Sequence, residues 1–211
     1  GMGENFRVQP IFVLVRFGKW QQILEMEKPF AKAQYLTGMW HYGRSMAYMN
    51  TGNMSAAKEE LQKLQEIAVK FEDGLPGYSE GGALTNGLNL EIASSLVTGL
   101  MASMEGEFET AIYHLGTATR LEDSHVYTEP ASWNFPTRHI LGAILLDAGK
   151  AREAEVVYWQ DLAHNPNNAY SFYGLYQSLT AQGKDDEAAE YLAKYEEEWK
   201  DSDVKLTSSR F

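Results

Sequence analysis

The sequence predicts an all-α protein, a right-handed α-solenoid of antiparallel helix pairs with about five repeats and two insertions. Three observations predict it. A short pattern recurs along the chain: a Gly, an Ala five residues later, and a large apolar residue four further on. Apolar residues inside each block follow helical spacing, as in Ala56, Leu61, Leu64, Ile67 and Ala68. The chain holds only 6 Pro, and the polar stretches between apolar blocks are short, which suits helices joined by tight turns.

The glycines of the pattern stand at 18, 52, 106, 149 and 183, in steps of 34, 54, 43 and 34. Two steps are equal, and the other two exceed them by 20 and 9, which defines the insertions at 72–87 and 122–135. In each copy the Gly is placed in the turn, where a positive φ ends a helix without a Cβ clash. The Ala lets the second helix approach the first, and the large residue fills the space beside it.

The elements follow in order. The first, degenerate pair (core 4–30) is expected as helices near 4–16 and 20–27, with Gly18 and Ile23. The second (38–71) is expected near 32–50 and 54–71 on Gly52, Ala57 and Leu61. A Gly-rich insertion follows, with Gly74, Gly77, Gly81, Gly82 and Gly87. The third pair (92–121) is expected near 88–104 and 108–121 on Gly106, Ala111 and Leu115. After the second insertion, the fourth (135–166) is expected near 136–148 and 151–164 on Gly149, Ala154 and Tyr158, with Pro166 ending it. The fifth (169–200) is expected near 168–182 and 185–200 on Gly183, Ala188 and Leu192. The polar tail 201–211 is expected to fray. No linker divides the chain, so one solenoid domain is expected over 1–211.

The fourth copy, with Leu141, Gly142, Leu145, Gly149, Ala154 and Tyr158, resembles the tetratricopeptide repeat, whose period is the 34-residue step seen here. It departs from that pattern at Arg138 and Asp161. The phrases LVRFGKWQQIL (14–24), MWHYGRSMAY (39–48) and the run 127–162 are similar to the C-terminal part of larger bacterial proteins of this family. That resemblance implies upstream repeats and supplies no activity. A Gly ahead of Met2 reads as a cloning remnant, so native sequence is expected to precede it. The compartment stays open, with the cytoplasm as default.

Composition narrows the function. Acidic residues outnumber basic ones 29 to 18, for a net charge of −11, which disfavours nucleic acids and anionic membranes. With no cysteine there are no disulfides or thiolate metal sites. The five histidines, His41, His114, His125, His139 and His164, form no i, i+4 pair around a Glu. Phosphate loops and nucleophile elbows are absent too. No cofactor, metal or catalytic residue is expected, and the charge run Glu196–Glu198 reads as a solvated face.

Binding is the remaining class. In the tetratricopeptide register the concave stripe carries Phe12, Arg16, Met39, Tyr42, Met46, Met49, Leu96, Leu100, His139, Tyr170 and Tyr173. Methionines and tyrosines adapt to peptides. The same stripe also reads as core, covered by insertions folding back across it. Val8, Tyr42 and Leu96 stand where chaperone-binding members carry a carboxylate clamp, so that ligand is not expected.

The second insertion, with Tyr127, Glu129, Pro130, Trp133, Pro136 and Arg138, presents either binding anchors or a Trp133 plug with Glu129 paired to a base. His41 and Arg44 fall on a packing face, where they require a carboxylate or carbonyl partner; a one-residue shift would solvate them instead. The leading expectation is a non-catalytic scaffold for a protein or peptide partner. The alternative is a small-molecule pocket roofed by 122–138, using His41, Arg44, Glu129, Trp133 and Arg138. Pairing of two copies through the helix with Phe6, Ile11, Phe12 and Leu14 is also expected of an uncapped end.

Overall fold

Eleven helices make up the computed structural model, which describes residues 2–72 and 80–210. They are α1 (Met2–Arg7), α2 (Gln9–Arg16), α3 (Trp20–Glu25), α4 (Gln34–Asn50), α5 (Met54–Glu72), α6 (Glu80–Met104), α7 (Phe108–Asp123), α8 (Thr137–Asp147), α9 (Ala151–His164), α10 (Ala169–Thr180) and α11 (Asp185–Trp199). The expected all-α solenoid is present: α2/α3, α4/α5, α6/α7, α8/α9 and α10/α11 pack as pairs, and each pair packs on the next.

The five predicted turn glycines all have positive φ, from 60° at Gly18 to 83° at Gly52. In each turn the residue after the Gly donates its N–H back five residues into the preceding helix. Examples are Asn53 to Tyr48 O at 2.8 Å and Lys150 to Leu145 O at 2.8 Å. This bond satisfies a carbonyl that the helix end would otherwise leave without a partner. The Ala positions do what their size allows: Ala57, Ala111 and Ala154 are fully buried beneath the first helix of their pair.

Three boundaries differ from expectation. The first helix is interrupted at Val8, because Pro10 in the first turn of α2 has no N–H to continue the ladder. Helix α6 begins at Glu80 rather than near 88, so three of the five insertion glycines are helical. Gly87 faces Phe71 of α5, and an added Cβ would lie 3.5 Å from the Phe71 Cβ. Close helix contact here overrides the weak helix propensity of glycine. Gly74 and Gly77 lie outside the described residues.

The third difference is the tail, which docks instead of fraying. Ser209 is fully buried, accepts from the Tyr158 hydroxyl at 2.6 Å and donates to His139 O at 2.7 Å. Arg210 pairs with Asp147 at 2.9 Å. Backbone geometry in α8 and α10 makes this possible. Tyr158 of α9 is wedged between Gly142 and Gly174, where an added Cβ would lie 2.4 and 2.2 Å from the ring. Its hydroxyl therefore reaches past both first helices to meet the tail.

Candidate functional site

Over most of its length the concave stripe is core: Tyr42, Met46, Met49 and Leu100 are buried, so of the two readings, open groove and covered core, the groove is corrected at these four. At Phe12, Tyr42 and Leu96 the cover is the second insertion, the connection from α7 to α8. It drops Trp133 and Phe135 among Phe12 and Val15 of α2, Tyr42 of α4, Leu96 of α6 and Ile140 of α8. Trp133 meets Phe12 and Tyr42 edge-to-face, with ring centroids 5.2 and 5.8 Å apart. The space left among these residues is about 10 Å³, roughly one water molecule. Burial pushes the Tyr42 hydroxyl well above its ordinary pKa.

The C-terminal end of the stripe is half-covered. Tyr170 stacks on His139 with centroids 5.4 Å apart, and Tyr173 lies 4.9 Å from Tyr195. The Arg16 guanidinium sits over the rings of Phe135 and Tyr170, at 4.7 and 5.1 Å. It thereby ties the first helix pair to the fifth. Of the four residues expected to pair two copies, Ile11 and Phe12 are buried within the chain, Leu14 is half-buried and Phe6 is exposed.

His41 and Arg44 meet the partners that the packing register demands. His41 donates Nδ1–H to Glu60 of α5 at 2.5 Å, and Arg44 Nε lies 3.5 Å from the same carboxylate. Arg44 also donates to Leu24 O at 3.2 Å and to the Tyr48 hydroxyl at 2.8 Å. Burial pulls the Glu60 pKa up. The His41 hydrogen bond and the nearby Arg44 and Lys63 charges override it and hold the carboxyl at about 2. This cluster joins α3, α4 and α5, away from the insertion.

His139, also fully buried, binds Asp161 through Nε2 at 2.9 Å. Asp161 takes a second bond from Ser171 at 2.6 Å and a third from Asn165 at 2.9 Å. Burial favours a neutral Asp161, but these donors lower its pKa. Ser171 donates to the carboxylate and not to the imidazole, so the three do not form a nucleophile relay. Among the described residues no group of three or more His, Asp or Glu is placed to hold a metal ion.

The insertion is rooted at both ends. Arg138 makes a two-pronged bond to Asp123, 2.7 Å on each arm, which raises its pKa further. Glu122 accepts from the Thr137 N–H at 2.8 Å and from its hydroxyl at 2.6 Å, capping α8; burial nonetheless pushes its pKa up. Asn89 of α6 donates to Ser132 O at 3.2 Å. From this base the tip projects Val126 and Tyr127, 79% and 81% exposed. Glu129 accepts from the Tyr127 hydroxyl, and among the described residues it forms no ion pair with a basic side chain of the kind expected.

The polar pocket expected from His41, Arg44, Glu129, Trp133 and Arg138 is therefore dispersed. Glu60 holds the first two, Glu129 is on the surface, and Trp133 is in the core. Arg138 and Trp133 do line a cleft of about 340 Å³ beneath the insertion, together with His125, Asp161 and Asn165. Within it His125 Nε2 and Arg138 Nε have no hydrogen-bond partner. A second cleft of about 420 Å³ lies across the insertion, between Phe6, Val8, Tyr35, Asn89 and Pro130.

Sequence reasoning missed Glu60, Asp123, Asn89 and Ser209. A signal existed for the buried His139–Asp161 pair, because Asp161 breaks the repeat pattern at a position reserved for a small residue. Glu60 and Asp123 sit among other surface-type helix carboxylates and carry no such mark.

No protein-family model matches the chain, and no curated protein matches it. Among solved structures, the crystal structure of MamA protein is similar at 20% identity and a TM-score of 0.45. The match covers 79% of this chain and 88% of that one. Among the described residues, no helix is long and apolar enough to cross a membrane.

Proposed function

We propose that the protein is a non-catalytic scaffold that binds a polypeptide at the ridge formed by its second insertion. The observation that carries this reading is a rigid base supporting an exposed apolar tip. Arg138–Asp123, Glu122–Thr137 and the buried Trp133 hold the loop, and Val126 and Tyr127 are exposed at its crest, the Tyr127 hydroxyl bonded to Glu129. A tyrosine presented on a fixed loop offers contact area at little cost in conformational entropy. With the concave stripe filled, this ridge is the best-prepared surface for a partner. The net charge of −11 favours a neutral or basic one.

The test is affinity capture from the source cell with the intact chain beside Tyr127→Ala and Val126→Asp. Any captured protein is then purified and its affinity measured directly. We expect the single changes to weaken binding by about tenfold or more while leaving the melting temperature unchanged. Equal affinity for all three chains would refute the ridge.

The cleft beneath the insertion supports a second reading, a small-molecule site. Its volume lies at the lower end for ligand pockets, and His125 Nε2 and Arg138 Nε are unused polar atoms. A ligand there would raise thermal stability, and His125→Ala would abolish that rise without affecting capture.

A further inference from the structure

The docked tail is held in an unusual way for a structural element. From Asp203 to Arg210 only Ser209 is buried; the remainder is exposed or half-exposed. Side chains of α8, α9 and α10 bond its far half: Tyr158 to Ser209, Gln177 to Thr207 O at 3.2 Å, and Asp147 to Arg210. Side chains of α11, which it follows, hold its near half: Trp199 donates to Val204 O at 2.5 Å, and the Leu206 N–H donates to the Tyr195 hydroxyl at 3.4 Å. Tyr158 and the His139 carbonyl are fixed by helix packing, whereas Asp147 is exposed at the surface. On α8, Tyr158 and α10, the side chains through which the tail is held are one serine and one arginine.

We infer that the surface formed by α8, Tyr158 and α10 is a recognition site for an irregular segment bearing a hydroxyl residue followed by a basic one. The chain's own residues 203–210 occupy it as a displaceable strap. A partner's segment of the same chemistry binds when the strap opens. Tethering gives the strap a high local concentration, so it excludes weak competitors and sets a threshold for the partner. Asp147 selects the basic side chain, and the paired Tyr158 hydroxyl and His139 carbonyl select the serine. This site is separate from the insertion ridge, and either can fail without the other.

The test uses the full chain with Ser209→Ala and Arg210→Ala to loosen the strap, and a fluorescent peptide of sequence 203–210. By anisotropy, the loosened chain should bind the peptide about tenfold more tightly than the unaltered chain, in which the strap competes. A peptide carrying Ser209→Ala should bind about tenfold more weakly. Adding Asp147→Lys to the loosened chain should transfer preference to a peptide with Arg210→Glu. Equal binding by the loosened and unaltered chains, or no loss with the Ser209→Ala peptide, overturns the inference. Hydrogen exchange on the unaltered chain decides the matter even if the loosened chain does not fold. The amides of 203–210 should open well before those of α8 and α10; exchange only with global unfolding overturns the strap. A concentration-dependent dimer that trades straps would also overturn it, in favour of exchange between copies.

Discussion

Glu60 shows how much one carboxylate can organise. It lies under His41, Arg44 and Lys63 and accepts from the imidazole at 2.5 Å. Glu60→Gln leaves the buried His41 and the half-buried Arg44 facing an uncharged amide, at a cost of about 3 kcal/mol at pH 7. The pH dependence follows from the depressed pKa. The carboxyl binds its proton more weakly in the folded state than in the unfolded state, whose ordinary value is 4.5. Its contribution is complete above that value and is lost as pH falls through about 2. Urea titrations between pH 7 and 2 should therefore show wild type and Glu60→Gln converging below pH 4.5. A constant gap down to pH 2 would exclude this role for Glu60.

Between elements, the decisive contact is Tyr158 of α9 passing between Gly142 of α8 and Gly174 of α10. An alanine at 174 would place its Cβ 2.2 Å from the ring, so helix or ring must move. Gly174→Ala should cost about 3 kcal/mol, against a gain in helix propensity below about 1 kcal/mol. Adding Tyr158→Leu removes the clash, so the double variant should be more stable than the sum of the two single effects. Equilibrium denaturation of the four chains checks this, and strict additivity would contradict the wedge. The glycine in repeat position was legible in the sequence. That the same tyrosine needs two glycines from successive repeats was not, because the three residues are 16 apart along the chain and meet only when adjacent pairs stack.

For the whole molecule, the second insertion changes how the solenoid holds together. In a simple array each repeat touches its neighbours alone, and unfolding can proceed piecewise. Here Trp133 and Phe135 bring α2, α4, α6 and α8 to one point, and Arg16 reaches Tyr170 in α10. Trp133→Ala should cost about 4 kcal/mol and also uncouple the first pairs from the last. Circular dichroism and tyrosine fluorescence should give one shared urea transition for wild type and two separated ones for the variant. A single coincident transition in both would remove the insertion from this role.

The sequence by itself determined the helix pairs, their turns and their order, because glycine φ, alanine size and apolar period act within or between adjacent elements. It also raised a need for partners at His41 and Arg44, against a one-residue shift that would have solvated them. Tertiary structure alone decided whether the stripe of Phe12, Tyr42, Met46 and Leu100 would be groove or core. Both outcomes use the same apolar residues, and the choice depends on where Trp133 goes. Its insertion has no period to read, so its path follows from cavity shape and from the anchors at Asp123, Glu122 and Asn89. The tail is the same case in reverse: its polar composition suggests a free end, and a single serine seated between Tyr158 and His139 gives it a place in the fold.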